Sequence, residues 1–347
     1  MSADQVGQAL RVAIRRLAGG ESLDREAITG AFDVIMRGEA TPAQVAALLM
    51  ALRVKGETAA EVAGVAQALR RAMVTIEVAD ADGLVDTCGT GGGTLTTFNI
   101  STAAAMLAAG AGVRIAKHGN RSFTSRSGSA DVLEALGVAV ETSPATMRQA
   151  LQTAGITFMF APLMHPAMRH VGPIRRELAI PTVMNIVGPL ANPAQAGRQV
   201  VGVADRQRLP LIAGALALLG SSRALVVHGA PGMDEVSPLG TTTVLEVRGG
   251  AMTEWEIDPA WAGYTGITAS DLEGGEPSEN AALIEDVLGG GGSPAARAAV
   301  VLNAAAAILV SGLRNDYRAS IALARSALED GAGARALNAL RHAFAPQ

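Results

Sequence analysis

Residues 84–102 read LVDTCGTGGGTLTTFNIST. The run 84–88 has the apolar, β-branched character of a short buried strand. Gly89, Gly91, Gly92 and Gly93 follow it, and Asn99-Ile100-Ser101-Thr102 then opens an alanine-rich helix. Strand, glycine turn and helix in that order begin an α/β unit. Glycines let successive backbone N–H groups converge on an anion, and a helix N-terminus adds a favourable dipole. The segment is not a P-loop, because no Gly-Lys-Ser/Thr follows. Nor is it a dinucleotide fingerprint, since the third glycine of GxGxxG would fall at Thr94. A glycine-rich turn alone is common, so its reading depends on the segments around it.

Downstream the same rhythm continues. Stretches 113–116, 156–160, 199–203 and 223–228 read as further strands, alternating with helical stretches near 101–111, 129–136, 144–154, 166–178 and 207–219. This alternation predicts a largely parallel central sheet flanked by helices, with ligands beyond the carboxyl ends of its strands. Residues 277–347 read as mostly helical, with a break at 289–292. Upstream, residues 1–73 read as helices only. Ile28, Phe32, Ile35 and Met36 form one apolar stripe, closed by Gly38. Thr41-Pro42 is an N-cap followed by proline at the first helical position, and Thr58 with Glu61 forms a capping box. The fold class expected is α/β: a small all-helical N-terminal domain (1–78, which some later helices join) plus a larger α/β domain (79–347). Four short amphipathic helices cannot hide their apolar faces alone, so they are expected to pack on the rest of the chain and on a second subunit.

Composition limits the function classes. The chain has 347 residues, 49% hydrophobic and 17% charged, which is enough apolar material for a sizeable core. A formal net charge of −4 argues against broad binding to a nucleic-acid backbone. The single cysteine, Cys88, excludes an intramolecular disulfide and a cysteine-cluster metal site. The late apolar run 298–313 is broken by Asn303, bounded by Arg297 and Arg314, and reads as too short to span a bilayer. With no export signal in evidence, a cytoplasmic protein without a membrane partner is the expectation.

Three more segments carry chemistry. Lys117-His118-Gly119-Asn120-Arg121-Ser122-Phe123-Thr124-Ser125, continuing through Arg126 to Ser129, follows a strand and precedes a helix that Ser129 is placed to cap. Three cations interleaved with hydroxyls and glycines suit a polyphosphate, although an isolated charge run is more often a solvated loop. In His165-Pro-Ala-Met-Arg-His170-Val-Gly-Pro-Ile-Arg175-Arg176, an arginine near a helix end suits a carboxylate. His165 and His170 are candidates for metal or acid–base work, yet no paired acid lies at ligand spacing, and capping or core use is commoner. Asp234-Glu235 lies in a Gly/Pro loop after a strand. Two hard carboxylates suit Mg²⁺, which binds through one or two of them plus substrate phosphates.

Taken together these segments resemble the anthranilate phosphoribosyltransferase family. The resemblance covers nearly the whole chain: QVAALLMALRVKGET, the glycine loop ending in FNIST, KHGNRS with SGSADVLEALG, HPAMRHVGPIRRELAIPTVMNIVGPLANPA, DEVSPLG, ENAALIEDVLGG and LNAAAAILVSGL. It implies a fold shared with pyrimidine nucleoside phosphorylases and a homodimer joined through the helical part. It also implies transfer of ribose 5-phosphate from 5-phosphoribosyl 1-diphosphate (PRPP) to the amine of anthranilate, with two Mg²⁺ ions per subunit. Carried over by motif, Gly89, Gly92, Gly93, Thr97, Asn99, Ile100, Ser101 and Thr102 would line the PRPP site. Lys117, His118, Gly119, Asn120, Arg121, Ser122, Phe123, Thr124, Ser125 and Ser129 would continue it. Gly89, Asn120 and Arg175 would meet anthranilate, and Ser101, Asp234 and Glu235 would hold the metal. Lys117 and Arg175 would act by positioning and charge, with no residue assigned as acid or base. The family's glycine loop commonly reads GTGGDG. Here Gly93 and Thr94 stand at its last two positions, so an acid that would help organise PRPP is missing and Gly93 is left with a backbone role. Two rivals remain: a nucleoside phosphorylase, which KHGNRS and the acidic pair fit less well, and a non-catalytic nucleic-acid-binding relative, which the charge disfavours.

Overall fold

The structure, a computed structural model, describes residues 3–93, 95–122 and 126–345, with backbone alone for 3–7. Four helices come first: α1 (Ala3–Ala18), α2 (Arg25–Met36), α3 (Pro42–Lys55) and α4 (Ala59–Ala72). Their starts obey local chemistry. Asp24, Thr41 and Thr58 accept from the backbone N–H groups of Ala27, Gln44 and Glu61, and Gln44 and Glu61 complete capping boxes. Each cap contributes about 1 kcal/mol. Glu61 also joins three elements. Its carboxylate accepts from Leu23 N at 2.9 Å, from Thr58 N at 2.8 Å and from Lys55 Nζ at 2.9 Å, so the entrance to α2, the end of α3 and the start of α4 meet at one buried charge.

The chain then runs β1 (Val85–Gly89), α5 (Ile100–Gly110), β2 (Ile115–Gly119), α6 (Ser129–Ala135), α7 (Pro144–Thr153), β3 (Ile156–Phe160), α8 (Ala161–Met164), α9 (Gly172–Leu178), β4 (Arg198–Gly202), α10 (Leu209–Leu218), β5 (Arg223–Gly229), β6 (Thr242–Arg248) and β7 (Ala251–Ile257). Helices α11 (Pro277–Leu288), α12 (Pro294–Ser311), α13 (Tyr317–Glu329) and α14 (Ala332–Phe344) close it. The sheet order is β3-β2-β1-β4-β5-β6-β7. Its first five strands are parallel, and β6 and β7 are antiparallel. Alternate side chains divide the interior in two. Val200, Leu225, Val227 and Val244 pack toward α5 and α11–α14, while Val201, Ala224, Val226 and Val247 pack toward α10 and the N-terminal helices.

Several expectations need correction. The β6–β7 hairpin was not foreseen. Its signal is Gly249-Gly250 between two alternating runs, and both glycines have positive φ (55° and 83°), as a two-residue hairpin turn requires. Strand β2 begins two residues later than expected and includes Lys117, His118 and Gly119, which pair with β3 instead of starting a loop. The stretch 166–178 is two pieces, a 3₁₀ turn over Pro166–His170 and then α9, because Pro173 lacks the N–H that a continuous helix needs. With its neighbours it leaves the sheet and packs on α2, α3 and α4. Ser129 does not cap α6. Gly128 occupies that position, and the Asp131 carboxylate accepts from Gly128 N and Ser122 N. Helix α12 reaches 18 residues and is long and apolar enough to span a bilayer, contrary to the sequence reading. It lies 83% buried within the protein, where Ala, Val and Leu on every face meet α5, α13 and the sheet. It is a core helix.

The topology also locates the site. From β1 the chain steps outward through β2 and β3, then returns to place β4 on the other side of β1. The strand order therefore reverses between β1 and β4, where the carboxyl ends of parallel strands leave a crevice.

Candidate active site

Gly89 ends β1 and is paired with Gly202, which ends β4; Gly229 ends β5 next to it. These glycines admit a segment of chain across the strand ends. A Cβ on Gly89 would clash with the Asp234 carboxylate, one on Gly202 with the Asp234 carbonyl oxygen, and one on Gly229 with the Glu235 carbonyl oxygen. The acidic pair thus lies directly over the β1–β4 crevice. The glycine loop meets it there: Gly91 N donates to Asp234 Oδ2 at 2.9 Å, and Thr90 N donates to Gly202 O at 2.9 Å. Gly91 and Gly92 have φ of 68° and 80°, a region that other residues enter at a cost. A Cβ on Gly93 would stand 3.3 Å from Gly232 O and 3.5 Å from Asp234 Oδ1, so this position faces an acid across the crevice.

Ser101, in the first turn of α5, brings in the third group. Its backbone N–H bonds Glu235, and its Oγ lies 3.4 Å from Lys117 Nζ. Lys117 reaches from β2 beneath the crevice and donates to Thr87 O at 2.5 Å. Burial lowers the Lys117 pKa, opposed by Asp86, Cys88 and Glu235. Burial, together with the adjacent Asp234 charge, pushes Glu235 up to about 8, and burial also raises Asp234. Both residues are half-buried. The pair is an under-neutralised anionic site, and a divalent cation is the chemistry that relieves it. Two carboxylates and a hydroxyl are hard oxygen ligands. Among the described residues no cluster of three or more His, Cys, Asp or Glu could hold a metal unaided, which fits Mg²⁺ completed by substrate phosphates better than a closed protein site. Cys88 is a free cysteine under this site, its thiol pushed well up by burial and then by Asp86.

Other residues named from the sequence are disposed differently. Asn99 stands at the N-cap position of α5 without a side-chain cap bond; its Nδ2 donates to Ser127 O, and its Oδ1 accepts from Ser127 Oγ and from Asn280 Nδ2. Thr97 bridges to Glu273. Ile100 and Thr102 are fully buried, so neither side chain opens onto the crevice. Asn120 holds the turn after β2: its Oδ1 accepts from Arg121 N at 2.8 Å, and its carbonyl accepts from Ala130 N and from Ser129 Oγ. Arg121 is turned toward carboxylates of its own chain, pairing with Asp131, Glu134 and Glu141, and lies 5.3 Å from the centre of the Phe160 ring. Hydrogen bonding to Glu134 is the main reason its pKa is raised. Phe123, Thr124 and Ser125, like Thr94, lie outside the described residues.

Arg175 sits half-buried on α9, and burial lowers its pKa. Among the described residues its guanidinium has no hydrogen-bond or ion-pair partner. The segment that carries it is tied to β2 by a contact that sequence reading missed. His165 Nε2 lies 3.1 Å from His118 Nε2, with both imidazoles buried and their pKa values pushed down to about 4 and about 3. Asp86 and Asn192 were missed as well. Asn192 Nδ2 donates to Asp86 Oδ2 at 2.8 Å and to Ala116 O, while Asp86 Oδ1 accepts from His118 N, binding β1, β2 and the 188–196 turn together. Their signal in the sequence was an acid in the middle of an apolar strand and an asparagine between two apolar turns.

Comparison with known proteins agrees with this geometry. Residues 11–73 match the helical bundle domain of a glycosyl transferase family, and residues 81–334 match that family's a/b domain. The anthranilate phosphoribosyltransferase of Rubrobacter xylanophilus is 50% identical over 328 residues, covering 94% of this chain and 95% of the relative. The crystal structure of the Thermus thermophilus anthranilate phosphoribosyltransferase superposes with a TM-score of 0.91 at 40% identity, covering 96% of this chain and 99% of that one. The Saccharomyces cerevisiae anthranilate phosphoribosyltransferase, solved with PRPP and Mg, gives a TM-score of 0.87 at 28% identity over 96% and 97% of the two chains; it was also solved with 4-fluoroanthranilate. A crevice at the β1–β4 reversal, a glycine loop meeting an acidic pair, and likeness along almost the full length lead to one assignment: the chain belongs to the anthranilate phosphoribosyltransferases of the glycosyl transferase family.

Proposed function

We propose that this chain transfers the 5-phosphoribosyl group from PRPP to the amine of anthranilate, releasing diphosphate, as a step of tryptophan biosynthesis. The observation that carries this reading is the meeting of the glycine loop with Asp234-Glu235 over the strand ends, held by the 2.9 Å bond from Gly91 N to Asp234. The loop offers backbone N–H groups beside the N-terminus of α5, where a diphosphate is favoured. Asp234, Glu235 and the Ser101 hydroxyl are the ligands for two Mg²⁺ ions per subunit. Bound Mg²⁺ neutralises charge on the departing diphosphate.

The acceptor side follows from Arg175 and Asn120. A half-buried guanidinium with no partner among the described residues is suited to the carboxylate of anthranilate through a two-bond fork. The aromatic amine is weakly basic and already unprotonated, so no strong base is needed. His118 and His165, with depressed pKa values, would be poor bases in any case. Catalysis is positioning and charge neutralisation, with Lys117 beneath the crevice. Residues 1–78 form the helical domain that joins two copies in a homodimer, residues 79–347 form the catalytic domain, and the enzyme works in the cytoplasm.

Anthranilate fluorescence tests the reading. Purified protein should consume the signal only when PRPP and Mg²⁺ are both present, and Asp234→Asn with Glu235→Gln should abolish turnover while leaving the folded state intact. Turnover without PRPP, or full activity in the double variant at limiting Mg²⁺, would contradict it.

A further inference from the structure

Between Ala298 and Val310 helix α12 is apolar except at Asn303, which is 5% exposed in the middle of the core. A buried amide in such a helix costs stability unless its polar atoms are matched. Here they are matched by the backbones of two residues. Asn303 Oδ1 accepts from Val236 N at 2.8 Å, and Nδ2 donates to Val236 O at 2.8 Å and to Ala299 O of its own helix at 2.9 Å. The side chain imitates a neighbouring β-strand, pairing both backbone groups of Val236, the residue directly after Asp234-Glu235. Asn303 also lines, with Ser101, Thr87 and Cys88, the narrow cavity behind the two carboxylates.

We infer that Asn303 is a positioning residue for metal binding, fixing the height and rotation of Asp234-Glu235 over the crevice through the backbone of Val236. The inference deepens the function proposed above and rests on it. The strand-end glycines set how closely the acidic segment may approach the sheet, and Gly229 holds its start through paired backbone bonds with Met233, the residue before Asp234. From the core side, the two Val236 bonds prevent the segment from lifting or turning. Ser237 anchors the next residue along, with its N–H on Thr242 Oγ1 at 2.9 Å and its Oγ on Ala230 O at 2.5 Å. Without the amide, Val236 N–H and C=O would be buried and unpaired, and the backbone would shift to find partners. Any such shift moves both carboxylates, because they are the adjoining residues of the chain.

Asn303→Leu keeps the volume and the helix while removing every hydrogen bond, and Val301→Ala destabilises the same helix without touching Val236. Calorimetric titration with PRPP and Mg²⁺ together, with the Mg²⁺ dependence of turnover measured in parallel, should show affinity weakened about tenfold in Asn303→Leu. The KM for anthranilate and kcat at saturating Mg²⁺ should stay within about twofold of wild type, with excess Mg²⁺ restoring the rate. Val301→Ala should lower Tm and leave Mg²⁺ affinity unchanged. If Asn303→Leu binds the Mg²⁺–PRPP mixture like wild type, or if both variants weaken it equally, the inference fails. If wild type itself shows no Mg²⁺-dependent binding, it is the proposed function that fails.

Discussion

His118 and His165 sit Nε2 to Nε2 under the crevice, joining the strand that carries Lys117 to the segment that carries Arg175. Their pKa values fall from 6.5 to about 3 and about 4, burial being the larger cause for each. The folded protein therefore binds fewer protons than the unfolded chain between about pH 3 and 6.5. Stability from this pair is full above pH 6.5 and is lost as pH falls toward 4. Glu235, raised to about 8, slopes the other way, so the contribution is best read as a difference. The gap in denaturant midpoint between wild type and His165→Gln should change steadily from pH 7 to pH 5, with wild type losing more; a gap constant over that range would show that the imidazoles do not titrate with folding. Arg175 makes a separate prediction. Arg175→Ala should raise the anthranilate KM by one to two orders of magnitude, on the scale of about 1.5–3 kcal/mol for a hydrogen-bonded charge, with PRPP affected much less. Steady-state kinetics in both substrates decides, and equal losses would mark a structural residue instead.

Each element around the crevice is shaped to leave room for its neighbour. Gly202 ends β4 where a Cβ would overlap the Asp234 carbonyl, whereas Gly30, inside α2, has nothing within 4 Å of the corresponding point. Gly202→Ala should displace the acidic segment and cut kcat/KM by at least about a hundredfold. Gly30→Ala should raise stability by about 0.5–1 kcal/mol through helix propensity, with activity unchanged. Paired kinetics and denaturation measurements would reverse the argument if the two variants behaved alike. These elements also show how far the sequence could be read. The N-cap at Thr41, the capping box at Thr58, the glycine turn and the five parallel strands depend on residues near one another in the chain. The Asn192–Asp86 bond, the histidine pair and the Asn303 clamp join residues 106, 47 and 67 positions apart. No local pattern encodes such pairings, so those parts of the site emerged only with the fold. Arg121 is the reverse case. Its cationic loop reads as phosphate-binding, yet its fork is filled by acids of α6 and the following turn, a competition the motif does not display.

The molecule as a whole is two packed cores on a twisted layer of strands, with the N-terminal helices resting on α10 and on the excursion at 161–191. Val12 on α1 and Val54 on α3 remain exposed, Val54 at 80%. The homodimer proposed through this helical part predicts a light-scattering mass twice that of one chain at micromolar concentration, and a monomer for Val12→Glu with Val54→Glu; a monomeric wild type would refute it. The central claim is that the reversal between β1 and β4 gathers the glycine loop and the acidic pair around one diphosphate. A crystal structure with PRPP and Mg²⁺ tests it most directly. The account predicts the diphosphate against residues 89–93 and the N-terminus of α5, with metal density touching Asp234, Glu235 and Ser101. Clear density for the sugar donor lodged elsewhere, with Gly91 still bonded to Asp234 and no metal at the carboxylates, would contradict it.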